Sequence, residues 1–335
     1  SRYKYVVYQL YMKKVKLLSL LCLSALSNLV LSQKATIDLN IFSITQLQED
    51  FNYWRHRIEA KHPLVYLYTS KNKVDRCFDS LYQEIKYPMT ELGFIKLLTP
   101  IAGLIQDGHT YVVPSKTALD SLRSSENLLP LEVKCIDGRL YVTHDLSTSA
   151  VPLTGLEITA INTTTTKDIL TLLLSNLGRD GNNYQYAYAV LNESFRFYFH
   201  TYFGFDMSYV IHYRTKDNRD STCTISGRNL DLIKKEKLIR YPIDVRSPAS
   251  GLTLNILDSI QTAVLGIKTF SPNTSNRQFR TEILNYFETI RSANMLNLIL
   301  DLRDNSGGNP NHVKFILQHV FDEPFEQARA CRVVK

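Results

Sequence analysis

Residues 296–310 read LNLILDLRDNSGGNP. An apolar run of strand length breaks off into Asp-Leu-Arg-Asp-Asn, and two glycines follow just before a proline. The run alone reads as a strand buried on both sides. The glycines permit positive φ and leave backbone N–H groups unshielded by a Cβ. With a helix starting at Pro310, those N–H groups can face an anion or a developing oxyanion. Residues 296–302 are therefore expected to form a central strand, and Gly307 and Gly308 a functional turn. The simpler reading is an ordinary strand-to-helix turn with Arg303 in an ion pair, since loops of this composition are common.

The flanking segments extend the α/β pattern. GLTLNIL and IQTAVLGIKTF form a predicted hairpin across Asp258-Ser259. FRTEILNYFETI places Phe279, Ile283, Phe287 and Ile290 on one helix face, and a last helix from Pro310 carries Val313, Ile316, Leu317 and Val320. Strand, helix, strand, helix implies parallel strands joined by a right-handed crossover. An α/β domain over 240–335 has few strands, so the expectation is an incomplete domain and a truncated gene product.

Upstream the character changes twice. Over 126–230, LPLEVKCIDGRLYVTHDL alternates around Asp137-Gly138, LTGLEITAIN reads as a strand, and TKDILTLLLSNL as a short amphipathic helix. The aromatic segment YQYAYAVLNESFRFYFHTYF intervenes before the strand-like SYVIHYRT and DSTCTIS, giving a β-rich domain with an insertion. Over 40–117 the reading is helical. Ser43 with Gln46 is a capping-box start, and Leu47, Phe51, Trp54 and Ile58 follow on one face. His62-Pro63 stops that helix. Val74, Phe78, Leu81 and Ile85 mark a second helix. Thr90 opens a third, bent at Pro100 and ending at Asp107-Gly108-His109-Thr110.

The chain of 335 residues is 44% hydrophobic and 21% charged, ordinary values for a globular protein. Its formal charge of +7 comes largely from Arg2, Lys4, Lys13, Lys14 and Lys16, in a stretch without acids. The near-neutral remainder argues against a nucleic-acid surface. From Met12 the chain reads MKKVKLLSLLCLSALSNLVLSQK, a signal peptide by its basic start, apolar stretch and small residues before Gln33. Residues 1–32 are thus expected to be upstream sequence plus a cleaved leader. The mature protein is expected to be secreted or periplasmic, with no stable membrane insertion after signal removal. Cys77, Cys135, Cys223 and Cys331 are widely spaced without a CxxC, which leaves disulfides or buried thiols open and speaks against zinc. No HExxH occurs, and His312 and His319 lack acidic or cysteine companions, so no metal or cofactor is expected.

His109 sits between small and polar residues at a helix end, a place suited to a general base or to a mere cap. The wider context adds to this. DLRDNSGG resembles the Asp-Leu-Arg-x-Asn-x-Gly-Gly signature of the C-terminal processing (tail-specific) serine peptidases, which include the tricorn core protease. LIQDGHTYV resembles the N-terminal region of secreted Bacteroidetes-type members, and GLEITAIN a strand of their degenerate PDZ-like domain, with Thr163 where many members have glycine. The resemblance implies a crotonase/ClpP-like α/β core, incomplete here, with an N-terminal helical domain and a PDZ-like domain. It implies acyl transfer on a peptide or unfolded-protein substrate, with His109 as base and the Gly307 or Gly308 N–H in the oxyanion hole. Asp107, Thr110, Asp301, Arg303 and Asn305 would support these groups. The family's serine lies several tens of residues beyond the double glycine, and Ser306 occupies a variable position of the signature. Tail-specific members use a downstream lysine as base instead of a histidine. Against the peptidase reading stands a non-catalytic protein of the same fold that binds a peptide or a small apolar ligand. An adhesion protein would carry repeats or Ser/Thr-rich stalks, which the sequence lacks.

Overall fold

The computed structural model describes residues 41–242, 250–305 and 307–326, and the chain divides into two units at the Tyr241–Pro242 link. The expected leader, Ser306 and Cys331 lie outside the described residues.

In the first unit a short strand β1 (Ile41–Phe42) leads into Ser43, whose hydroxyl accepts the Gln46 N–H while the Gln46 side chain accepts the Ser43 N–H. This is the reciprocal cap that the sequence predicts. Helix α1 (Ile44–Lys61) buries Leu47, Phe51, Trp54 and Ile58 as expected, and His62 ends it in an extended conformation. Helix α2 (Lys71–Gln83) buries Val74 and Phe78; Ile85 is buried too, but past the helix end. Phe51, Trp54 and Phe78 meet edge to face, with centroids 5.6–6.2 Å apart. Each buried ring contributes roughly 1.5–3 kcal/mol. Strand β2 (Met89–Thr90) pairs antiparallel with β1, and Thr90 caps helix α3 (Glu91–Ile105), which contains Pro100. Helix α3 closes on Gln106 in the left-handed region, and α4 (Lys116–Arg123) follows on its Ser115 cap.

The β-rich part starts with β3 (Leu131–Ile136) and β4 (Arg139–Asp145), joined through Asp137 and Gly138, both at positive φ. That is the turn an Asp-Gly pair favours in a hairpin. Strands β5 (Glu157–Ile161) and β6 (Thr164–Thr165), helices α5 (Thr166–Ser175) and α6 (Tyr184–Phe203), strands β7 (Ser208–Arg214) and β8 (Asp220–Ser226), and helix α7 (Leu230–Arg240) complete the unit. The antiparallel sheet runs β3-β4-β5-β7-β8, with β6 attached to β5.

The aromatic segment, unassigned from sequence, is helix α6. It buries Ala187, Leu191, Phe195 and Phe199, a strict i+4 row, in the same core as the inward side chains of the sheet. Asn192 and Arg196 on this helix reach the outer edge of β3. The Cys135 N–H donates to Asn192 Oδ1 at 2.6 Å, and the Arg196 guanidinium donates to the Leu129 and Leu131 carbonyls. Side chains thus satisfy backbone groups that an edge strand would otherwise expose. Beside them a cavity of about 370 Å³ is lined by Glu132, Lys134, His144, Glu193 and Lys237 among others. Next along α6, buried His200 accepts the Leu129 N–H at Nε2 (3.0 Å) and donates from Nδ1 to the Gly204 carbonyl (2.8 Å). Cys77, Cys135 and Cys223 are free thiols.

In the second unit β9 (Leu252–Leu257) and β10 (Thr262–Ile267) form the expected antiparallel hairpin, linked by the 3₁₀ turn Asp258–Ile260. Helix α8 (Asn276–Ser292) buries Phe279, Ile283, Phe287 and Ile290, again as expected, and leads to β11 (Asn297–Asp301), which pairs parallel with β10. Two expectations fail. Strand β11 is not central among the described residues: it lies at the edge of the order β11-β10-β9, with Leu296, Ile299 and Leu302 exposed. An apolar run reports that burial would be favourable, not that a covering element lies among these residues. Helix α9 (Pro310–Leu317) buries His312 and Ile316 rather than the predicted row through Val313 and Val320. His312 can replace an apolar residue because both ring nitrogens are bonded, to the Phe270 carbonyl and Asn276 Oδ1, and its ring stacks on Phe279.

Among the described residues no helix is long and apolar enough to cross a membrane.

Candidate active site

The predicted residues fall into two turns, one in each unit. In the first unit, α3 ends and residues 107–110 form a tight turn closed by the Thr110 N–H to the Asp107 carbonyl (3.0 Å). Asp107 and Thr110 point inward and His109 outward, its side chain 80% exposed. The Thr110 hydroxyl donates to Asp107 Oδ2 at 2.6 Å. His62, from the end of α1, places Nε2 2.7 Å from Thr110 Oγ1 and 3.4 Å from Asp107 Oδ2. Its Nδ1 accepts the Leu64 N–H at 3.1 Å. Burial pushes the Asp107 carboxyl up, but the bonds from His62 and Thr110 and the nearby imidazoles outweigh it, so the group is held below the usual carboxylate range. Asp107 Oδ1 lies 3.9 Å from His109 Nδ1, beyond a hydrogen bond but facing it.

The backbone of this turn is gripped from the loop between α5 and α6. Asp180 Oδ1 accepts the Gly108 N–H at 2.8 Å, and the Gly181 N–H donates to the Gln106 carbonyl at 3.0 Å. Gly178 lies so close that a Cβ there would meet the Thr110 and Asp107 carbonyl oxygens, the latter at 2.9 Å. Buried Arg179 reaches the Gly103 carbonyl in the last turn of α3 and stacks over Tyr184 at 4.4 Å. Sequence reasoning missed His62, Gly178, Arg179 and Asp180. Only His62 left a signal: it continues the buried row of α1 at the next i+4 position.

In the second unit, Asp301 at the end of β11 is paired with Arg303 through Nε (2.8 Å), Nη2 (2.7 Å) and the Arg303 N–H (3.1 Å). Hydrogen bonds from Arg303 hold the Asp301 carboxyl far below the usual range. The Arg303 side chain is 85% exposed, so the pair orders the turn more than it stabilises the fold. Asn305 ties the turn to β10, donating from Nδ2 to the Ile267 carbonyl (2.8 Å). Its Oδ1 accepts the Gly307 N–H at 2.7 Å, so that N–H is already engaged. The Gly307 carbonyl accepts the Phe270 N–H (2.9 Å), and the Asn309 N–H donates to the Phe270 carbonyl (3.1 Å). Between them the Gly308 N–H takes no partner among the described residues. Gly308 has φ 136°, and a Cβ there would lie 2.5 Å from the Phe270 carbonyl carbon and from Ser271 Oγ. Only glycine fits. Of the two predicted oxyanion donors, Gly308 is the open one. Among the described residues no group of three or more His, Cys, Asp or Glu side chains is placed to hold a metal ion.

The chain matches no family model and no curated protein. Its fold is similar to solved structures of CPAF. Mature CPAF complexed with lactacystin aligns at TM-score 0.51 and 14% identity, over 82% of this chain and 59% of that one. Mature CPAF alone aligns at TM-score 0.46 and 16% identity, over 79% and 56%, and a CPAF S499A mutant at 0.48 and 15%, over 79% and 57%. The chain therefore spans under three-fifths of the length of these neighbours. At this identity the likeness concerns the fold alone. Helices and sheets are arranged here as in that lactacystin complex.

Proposed function

We propose that this chain belongs to a serine-type endopeptidase of the tail-specific class, which hydrolyses peptide bonds by acyl transfer. The second unit then begins the crotonase-like core, and the β-rich part of the first unit is the degenerate PDZ-like domain. The observation that carries this reading is the turn at Gly308: a glycine-only backbone position with an open N–H, on a strand-to-helix turn braced by Asp301, Arg303 and Asn305. Such a preorganised donor is what a tetrahedral oxyanion needs. His109 acts as base, taking the proton of the attacking serine and returning it to the leaving amine. Asp107 orients it. The 3.9 Å gap closes in the substrate complex, as catalytic hydrogen bonds often tighten only there. The similarity of fold to CPAF supports the same reading.

A fluorophosphonate probe tests it in the full-length protein. Labelling is expected at one serine, on the segment that follows the double glycine in the family, together with turnover of an unfolded protein substrate. Labelling at Ser306 would move the nucleophile into the turn itself. Absence of both labelling and turnover would favour the non-catalytic peptide or apolar-ligand binder.

A further inference from the structure

We propose that His62 is a positioning residue for His109, acting through Thr110 and Asp107. The inference rests on the reading of His109 as base.

His62 occupies the next i+4 position after Leu47, Phe51, Trp54 and Ile58, where an apolar side chain would extend the core. A polar ring at 9% exposure is unfavourable there unless its nitrogens are bonded. Both are. The Leu64 N–H points at Nδ1, so Nδ1 accepts and the ring proton sits on Nε2. Thr110 Oγ1 has one hydrogen, spent on Asp107 Oδ2 at 2.6 Å, so at 2.7 Å it accepts from His62 Nε2–H. The direction of the chain is thereby fixed: His62 donates to Thr110, and Thr110 to Asp107. Bonds in such a row polarise one another.

The consequence falls on Asp107. Its Oδ2 is held by Thr110 and lies 3.4 Å from His62 Nε2, which leaves Oδ1 as the oxygen turned to His109. Asp180 and Gly181 fix the backbone on both sides of Asp107, but neither touches its carboxylate. Backbone position comes from the α5–α6 loop, carboxylate orientation from the end of α1. Without the His62 donor, the carboxylate could rotate about χ2 and offer His109 either oxygen or none.

The test is a double-mutant cycle on turnover of an unfolded substrate by the full-length protein. His62→Leu keeps the bulk and removes the donor. It should lower kcat by about 10²-fold, the size of loss expected when a catalytic group is misplaced by an ångström, with KM within about twofold. His62→Gln, which keeps an N–H donor, should restore most of it. In a His109→Ala background, His62→Leu should lower kcat no further, because its effect passes through His109. If His62→Leu does not fold, Thr110→Val breaks the same chain with less disturbance, and the same pattern is expected. A purely structural role would lower activity by the same factor in both backgrounds, and this would overturn the proposal. An unchanged kcat in His62→Leu, where His109→Ala is inactive, would overturn it while leaving the base in place. Full turnover in His109→Ala would remove the base reading, and the proposal with it.

Discussion

Replacing His109 by alanine in the full-length protein should lower kcat by about 10³-fold or more, with KM and melting temperature nearly unchanged. The stability part follows from the structure: the side chain is 80% exposed and packs into none of the hydrophobic cores of its unit. The kinetic part follows from its proposed role, since a base lost from a serine mechanism costs transition-state stabilisation and little substrate binding. A histidine that merely capped α3 would give the opposite pattern, about 1 kcal/mol of stability lost and activity kept. Near-wild-type kcat would point to the downstream lysine used by tail-specific members, and substitution of that lysine would then abolish turnover. Steady-state kinetics with a thermal melt separates the three cases.

The second large effect belongs to the double glycine, whose two members should differ. Gly307 has φ 89° and open space where a Cβ would stand; Gly308 has φ 136° and a Cβ there would run into Phe270 and Ser271. Gly307→Ala pays for left-handed backbone alone, about 1 kcal/mol. Gly308→Ala adds a clash with neighbouring backbone and should cost about 3 kcal/mol or more. Urea unfolding measures both. Equal losses would mean that the turn relaxes freely, and the case for a preorganised Gly308 donor would fall with that result. In activity, Gly308→Ala should also lose more, since the open N–H sits at that position.

Sequence spoke most clearly where two signals agreed. Helix α1 had both a reciprocal cap and an apolar row, and the face it buries is the expected one. Helix α6 hid because Tyr and Phe lie on all its sides, so the buried row at Ala187, Leu191, Phe195 and Phe199 is masked by aromatic neighbours that also favour strands. Strand β11 showed its type but not its exposure. The candidate site divides in the same way. The turn at 301–308 is braced by contacts within a few residues and across to β10, and its composition shows it. The support of His109 comes from His62 and Asp180, 48 and 72 residues away from Thr110 and Gly108, and no local pattern records such distances.

His200 ties the start of the β-rich sheet to the acidity of the surroundings. In its place the ring is neutral by construction: Nε2 must accept from Leu129, so a second ring proton would face another N–H. Burial, aided by the charge of Arg196 and opposed by the Gly204 bond and Asp206, lowers its pKa to about 4. An unfolded chain would titrate near 6.5. Between these values the unfolded chain binds a proton that the folded chain refuses, so acidification through this window favours unfolding. The contribution is complete above about pH 6.5 and drains away as pH falls toward 4. Denaturant midpoints should therefore decline across that range in the wild-type protein, and decline less in His200→Gln. If both proteins decline alike, the proton is taken up elsewhere. A protein built this way carries a limit on the acidity it can tolerate, set by one imidazole at the root of a strand.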